Sequence, residues 1–116
     1  MKRTVTIKNN CDFRRTYGKG KSFQSPALVS YIIKNRAGIC RVGITTSKKI
    51  GNAVERNRSR RVIRAAYSMI ESKISGNYDF VFVARSKTKY VKSTKLAEIM
   101  LDQLTKAGVI NETADN

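Results

Sequence analysis

Histidine is absent from this sequence of 116 residues, and cysteine is scarce. The lack of histidine excludes Ser–His and Cys–His nucleophile pairs. Cys11 and Cys40 are far apart and form no CxxC, so a Cys/His zinc site cannot be assembled. We therefore expect both cysteines to be reduced thiols.

Acidic residues are also few. The chain has 8 Asp and Glu against 24 Lys and Arg, which gives a formal net charge of +16. A metal-dependent nuclease normally needs clustered carboxylates to hold its ions. No two acids here have a spacing that suggests a shared metal, so we expect neither a catalytic residue nor a metal site. The acids are Asp12, Glu55, Glu71, Asp79, Glu98, Asp102, Glu112 and Asp115.

Long apolar runs are missing as well. No run approaches the roughly 20 residues needed to span a bilayer. The start, MKRTVTIKNNCDF, is basic but has no apolar stretch that would make a signal peptide. The excess of positive charge therefore favours nucleic acid over a membrane as the partner, and we expect a cytoplasmic protein.

The hydrophobic pattern predicts one domain over residues 1–116, with a basic arm at 1–9 and a frayed tail at 109–116. The strands alternate with period two, and the helices follow the helical period. We predict an α/β (α+β) two-layer sandwich with a small mixed sheet of about four strands, in the order α-β-β-β-α-β-α. The predicted elements are a short helix from Asn9 or Asn10 to Gly18–Gly20, strands 27–34 and 39–46 joined as a hairpin by 35–38, a helix over 53–75, a strand over 78–84 and a helix over 94–107.

The helix over 53–75 carries two stripes at 100° per residue. The apolar stripe consists of Val62, Ile63, Ala66, Met69, Ile70 and Ile74. The basic stripe consists of Asn57, Arg60, Arg61 and Arg64. A run of charge is usually a solvated face, but such faces mix Glu with Lys. Here Glu55 is the only acid from residue 41 to 64, against eight Lys and Arg.

The choice of arginine favours phosphate as the ligand of this stripe. The planar guanidinium fork binds phosphate through two hydrogen bonds at once. The N-terminal end of the helix would add free N–H donors and a positive dipole. Gly51 would allow a positive φ or a close approach of the backbone to RNA.

The stretch SKKIGNAVERNRSRRVIRAAY from residue 47 closely resembles the signature of the protein subunit of bacterial ribonuclease P. In that family a K-x-G-x-A-V-x-R-N-x-x-[KR]-R string opens a long helix known as the RNR motif. The flanks agree too, with DF near the start, RVG before the motif and an apolar run ending in AR after it. The resemblance covers about residues 8 to 104. The matching positions are Lys49, Gly51, Ala53, Val54, Arg56, Asn57, Arg60 and Arg61.

This resemblance implies an endoribonuclease that is a ribonucleoprotein. Its RNA subunit, with bound Mg²⁺, would remove the 5′ leader from precursor tRNA, and the protein would bind the RNA subunit and the leader. The Mg²⁺ is expected on the RNA subunit and not in this chain. The resemblance also implies a left-handed βαβ crossover between strands 39–46 and 78–84, an exception to the right-handed rule.

The same resemblance assigns two groups of site residues. Those expected to bind the RNA subunit are Lys48, Lys49, Gly51, Arg56, Asn57, Arg58, Arg60, Arg61 and Arg64. Those expected to form a cleft for the single-stranded leader are Phe13, Tyr17, Tyr31, Arg14 and Arg41. From the residues alone, the three aromatics could equally be core side chains. Stacking on aromatics holds unpaired nucleotides without demanding a sequence, which suits leaders that vary.

Two other functions stay open at this point. One is a stand-alone or ribosomal RNA-binding protein with the same sandwich, and the other is an autonomous protein nuclease. The purified protein alone would cut RNA only in the last case. Restored cleavage on addition of the RNA subunit would separate the first hypothesis from the second.

Overall fold

A five-stranded mixed sheet organises the fold. The computed structural model describes residues 4–7 and 9–110. The strands are β1 (Thr4–Thr6), β2 (Lys21–Gln24), β3 (Leu28–Lys34), β4 (Cys40–Thr45) and β5 (Tyr78–Ala84). The helices are α1 (Asn10–Lys19), α2 (Ala53–Ile70) and α3 (Ser93–Lys106), with short 3-10 turns at Lys48–Ile50, Glu71–Lys73 and Thr88–Tyr90. The mixed α/β class is confirmed, with five strands where about four were predicted.

The strand order is β1-β4-β5-β3-β2. β4 runs parallel to both β1 and β5, whereas β3 runs antiparallel to β5 and β2. α2 connects the parallel pair β4 and β5, and this is the βαβ unit that the family resemblance predicts. The predicted hairpin between β3 and β4 is wrong, because β5 lies between them. β5 is the most apolar strand. It lies at the centre of the sheet, so β4 and β3 pair with its two edges.

The described parts of both termini are better ordered than the sequence predicts. Thr4–Thr6, placed in the arm, pairs with β4 as β1, and the amide of buried Ile7 donates to the carbonyl of Val42 at 2.9 Å. Val109, placed in the tail, is buried, and its carbonyl accepts from the amide of Ser75 at 2.8 Å. These segments gain backbone partners and apolar cover that a free tail lacks. The rest of the predicted arm and tail, residues 1–3, 8 and 111–116, lies outside the described residues.

α2 ends at Ile70 rather than at Ser75, because a 3-10 turn follows and Ile74 pairs with Ile110 in a β-bridge. The apolar stripe also differs from its prediction at Met69, which is 47% exposed. Tyr67 is buried in its place, since its hydroxyl lies 2.9 Å from the Thr4 hydroxyl and is therefore satisfied.

The two faces of the sheet have different cover. α2 and α3 pack on one face, where Phe80 and Phe82 stack beneath Tyr67 at centroid distances of 5.8 to 5.9 Å. α1 lies on the opposite face, because Gly43 and Asp79, which alternate with the core positions, contact it. Within residues 4–7 and 9–110, no helix combines the length and apolar character that crossing a membrane requires.

Candidate nucleic-acid interface

The three predicted aromatics come together on the α1 face of the sheet, and we call them the aromatic cleft: Phe13, Tyr17 and Tyr31. The rings of Tyr17 and Tyr31 meet edge to face with centroids 4.9 Å apart. The Tyr17 hydroxyl lies 2.7 Å from the Thr45 hydroxyl, so the side chain reaches across the sheet from β3 to β4. Tyr17 is 38% exposed, and the other two rings are half-buried. None of the three rings is fully buried, and none belongs to the hydrophobic core beneath α2 and α3.

Gly43 on β4 sets the position of Phe13. A Cβ atom at residue 43 would lie 2.5 Å from Cε1 of the Phe13 ring, closer than packed atoms approach. The bare backbone of Gly43 therefore allows the ring to lie directly on the strand. α1 is started by Asn9, whose side-chain oxygen accepts from the amide of Asp12 at 2.9 Å.

A buried carboxylate, Asp79 of β5, ties α1 to the sheet beside the cleft. Its oxygens accept two hydrogen bonds from Arg41 at 2.7 and 2.8 Å, one from Arg15 at 2.9 Å and one from Asn35 at 2.7 Å. Burial alone would raise the pKa of Asp79. The hydrogen bonds from Arg41, Asn35 and Arg15 outweigh burial and hold that pKa below its ordinary value. We call these four residues the Asp79 cluster.

The Asp79 cluster changes the interpretation of Arg41, which the family resemblance assigns to the leader cleft. Its guanidinium is held by Asp79 and, at 3.1 Å, by Asp12. It therefore already has anionic partners within the protein, whereas Arg14 is exposed on α1. The cluster was not predicted from the sequence, although Asp79 stands out there as the only charge in the apolar strand YDFVFVA.

The N-terminus of α2 is capped by side chains of its own first turn. The side chain of Asn52 accepts from the amide of Glu55 at 2.9 Å, and the Glu55 carboxylate accepts from the amide of Asn52 at 3.2 Å. This capping box uses donors that the sequence analysis reserves for phosphate, and it adds a negative charge. The capping box therefore occupies two of the amides at the helix start, which makes that start a poorer anion site than the sequence predicts.

Gly51 has the positive φ that the sequence predicts, at 142°. A Cβ atom there would lie 2.4 Å from Oε1 of Glu55, the carboxylate that caps α2. The positive φ therefore favours glycine at this position, and any side chain there would also displace the carboxylate that caps α2. Lys48 and Lys49 are exposed in the preceding 3-10 turn, and Arg56 is half-buried on α2.

The exposed side of α2 carries the predicted basic stripe. Asn57, Arg60, Arg61 and Arg64 line one open surface together with Val54, and we call this surface the arginine face. The three arginines are exposed. Among residues 4–7 and 9–110, none of them forms an ion pair, and the Arg60 guanidinium donates only to the Asn57 side chain at 3.2 Å. No acid in the part of the chain that the structure describes neutralises their charge.

A pocket of about 190 Å³ connects the aromatic cleft with the arginine face. It lies where β4 continues beyond its pairing with β1, at the edge of the sheet. Phe13 and Gly43 line it from the cleft, and Arg60 and Arg64 line it from α2. One strand of nucleic acid could therefore contact both surfaces. Among the described residues, no group of three His, Cys, Asp or Glu side chains could hold a metal ion.

Fold and surface together define a basic α/β protein whose surface rings, and whose arginines without an acidic partner among the described residues, are typical of proteins that bind single-stranded nucleic acid. The family model described as Ribonuclease P matches residues 1–108, so the chain belongs to the ribonuclease P protein family. It is 50% identical over 88 residues to the ribonuclease P protein component of Clostridioides difficile (strain 630), covering 75% of this chain and 77% of that one. It is 41% identical over 113 residues to that of Clostridium novyi (strain NT), covering 96% and 100%.

The similarity extends to the three-dimensional structure. The RNase P protein of Staphylococcus aureus superposes with a TM-score of 0.79 at 36% identity, covering 91% of this chain and 97% of that one. The RNA-binding family predicted from the RNR motif is thereby confirmed.

Proposed function

We propose that this chain, as a protein component of ribonuclease P, binds the RNA subunit through the arginine face and the 5′ leader of precursor tRNA through the aromatic cleft. Membership of the family makes it part of an endoribonuclease in which RNA carries out catalysis. Its role is in the removal of the leader that gives the mature 5′ end of tRNA. The two surfaces correspond to the two groups of site residues that the family resemblance assigns.

The pocket that joins Phe13 to Arg60 and Arg64 carries this proposal. A leader bound in the cleft would reach these arginines at that edge of the sheet. They have no acidic partner among the described residues. The rings supply sequence-independent stacking, and the arginines supply phosphate contacts. The two RNAs would therefore meet on one continuous surface of the protein.

The protein contributes binding, and the Mg²⁺ that the reaction requires is assigned to the RNA subunit. In this proposal the protein works in the cytoplasm, where it meets precursor tRNA. The stand-alone RNA-binding alternative is not favoured, because the relatives named above are ribonuclease P protein components. Nothing in the interface favours the autonomous nuclease.

The cleft is tested by Tyr17→Ala in the enzyme reconstituted with the RNA subunit. Each stacked base contributes about 1–3 kcal/mol by alanine substitution, so affinity for leader-bearing precursor tRNA should fall about 5- to 150-fold. Mature tRNA, which has no leader, should bind as before. Tyr17→Phe keeps the ring and loses only the hydroxyl contact with Thr45, so it is the matched control.

Circular dichroism and melting curves must first show that each variant is folded. Equal weakening of precursor and mature tRNA by folded Tyr17→Ala would contradict a leader site in the cleft. Failure of the wild-type protein to support cleavage with the RNA subunit would contradict the wider proposal.

A further inference from the structure

A second groove lies on the other flank of α2, away from the aromatic cleft. It runs between α2 and the 3-10 turn Thr88–Tyr90 and has a volume of about 490 Å³. We call it the Tyr90 groove. Its lining residues are Arg58, Arg61, Val62, Ala65, Lys89, Tyr90, Val91, Lys92 and Ser93.

Tyr90 is the most exposed large hydrophobic side chain that the structure describes, at 78%. A single exposed ring is ordinary on a protein surface, so its setting decides what it means. The turn that carries the ring is firmly held. Thr88 is fully buried, and its hydroxyl donates to the carbonyl of Ala27 and accepts from the amide of Arg85 at 2.8 Å. The ring is therefore presented by fixed backbone and not by a loose loop.

Lys89 provides a second anchor for the turn. Its ammonium donates to the carbonyl of Ile50 and to the carboxylate of Glu55, each at 2.6 Å, and lies 5.3 Å from the centre of the Tyr90 ring. The ion pair with Glu55 balances the positive charge of Lys89 and joins the turn to the start of α2. The Glu55 carboxylate raises the pKa of Lys89, so the ammonium keeps its charge.

The other cations of the groove have no such partner. Arg58, Arg61 and Lys92 are exposed, and none forms an ion pair within residues 4–7 and 9–110. Between them, half-buried Val62 and Ala65 give the groove an apolar floor. An exposed ring, an apolar floor and three cations with no acidic partner among the described residues match the face and the phosphates of an unpaired nucleotide.

We infer that the Tyr90 groove is a second RNA site, which takes an unpaired nucleotide of the ribonuclease P RNA subunit. The base stacks on the Tyr90 ring, and the flanking phosphates contact Arg58, Arg61 and Lys92. The choice of RNA subunit rests on the proposed function. Arg61 lines both this groove and the arginine face, so an RNA bound to one reaches the other. The leader is held on the α1 side of the sheet, whereas this groove lies on the α2–α3 side.

The full-length protein and the RNA subunit test this directly. Tyr90→Ala should weaken binding of the RNA subunit about 5- to 150-fold, the effect expected for one lost stacked base. Tyr90→Phe keeps the ring and should bind as the wild type does. Because the side chain is 78% exposed, the melting temperatures of both variants should match that of the wild type.

A fluorescent reporter makes the test independent of affinity. The chain has no tryptophan, so Tyr90→Trp introduces a single indole. Stacking against a base should quench its emission when the RNA subunit is added, and the matched variant Met69→Trp, on exposed α2 surface outside the groove, should not be quenched.

The outcomes separate this inference from the proposed function. If Tyr90→Ala binds the RNA subunit like the wild type and the indole of the Tyr90→Trp variant is not quenched, the groove is not an RNA site, even though the wild type still supports cleavage. If Tyr90→Ala weakens only precursor tRNA, the assignment to the RNA subunit is overturned. If the wild type itself fails to bind the RNA subunit, the proposed function fails first.

Discussion

Arginines occupy two very different settings in this molecule. In the Asp79 cluster, Arg15 and Arg41 converge on a carboxylate that is fully buried. On the arginine face, Arg60, Arg61 and Arg64 have no acidic partner among the described residues. The same side chain thus closes an internal network at one place and leaves its charge open at the other. Pairing, rather than residue type, distinguishes structural arginines from those available to RNA.

Glu55 is an acid whose charge, like that of Arg15 and Arg41, is paired within the protein. It is the only acid in the sequence from residue 41 to 64, yet its carboxylate caps α2 and pairs with Lys89. Hydrogen bonding from Lys89 and from the Asn52 amide lowers the pKa of Glu55, so it is ionised at neutral pH. The Glu55 carboxylate therefore stabilises the start of α2 and does not pair with the arginine face.

The largest effect on stability is expected from Asp79→Asn. The substitution keeps the shape of the side chain but leaves Arg15 and Arg41 without their anion. Removing one partner of a buried ion pair costs about 3–5 kcal/mol, and because both arginines are partly exposed we expect about 3 kcal/mol. Urea unfolding measures this loss. Asp102→Asn is the control, since its pair with Lys106 is exposed on both sides and should cost at most about 0.5 kcal/mol.

The pH dependence of the same two proteins sharpens the comparison. The folded-state pKa of Asp79 lies below the unfolded value of about 3.9, so the carboxylate stabilises the fold above that pH. This contribution is lost as the pH falls through the folded-state pKa. Below about pH 4, the free energy of unfolding should therefore fall more steeply for the wild type than for Asp79→Asn. Parallel curves would mean that Asp79 is not the stabilising anion.

A smaller loss of stability is expected from Gly51→Val. Valine disfavours the φ of 142°, and its Cβ would collide with the capping carboxylate of Glu55. Loss of a helix cap costs about 0.5–2 kcal/mol, and we expect a destabilisation near the upper end in a melting experiment. Gly18→Ala is the control, because no atom would touch its Cβ and alanine favours a helix. An unchanged melting temperature for Gly51→Val would exclude the structural role of this glycine.

The sequence predicted those features that local pattern determines. The RNR motif identified the family, and the strand at 78–84 was placed with its observed bounds, because its run is apolar and Gly76 and Asn77 precede it. The hairpin was wrong because adjacency in sequence does not say that β5 enters between β3 and β4. The Asp79 cluster joins α1, β4 and β5, which are distant in sequence, so no local pattern could predict it. Tyr90 had no motif, and its significance comes only from neighbours that the fold brings to it.

The central claim is that the arginine face, which has no acidic partner among the described residues, binds RNA. The measurement that tests it most directly is the salt dependence of binding to the RNA subunit, for the wild type, for Arg60→Ala/Arg61→Ala and for Arg15→Ala. Each lost phosphate contact should reduce the log–log slope by about 0.7–0.9, so the double variant should lose up to about 1.8. Arg15→Ala, which removes an internally paired arginine, should keep the wild-type slope while losing stability. An unchanged slope for the double variant, or an equal change for Arg15→Ala, would contradict the account.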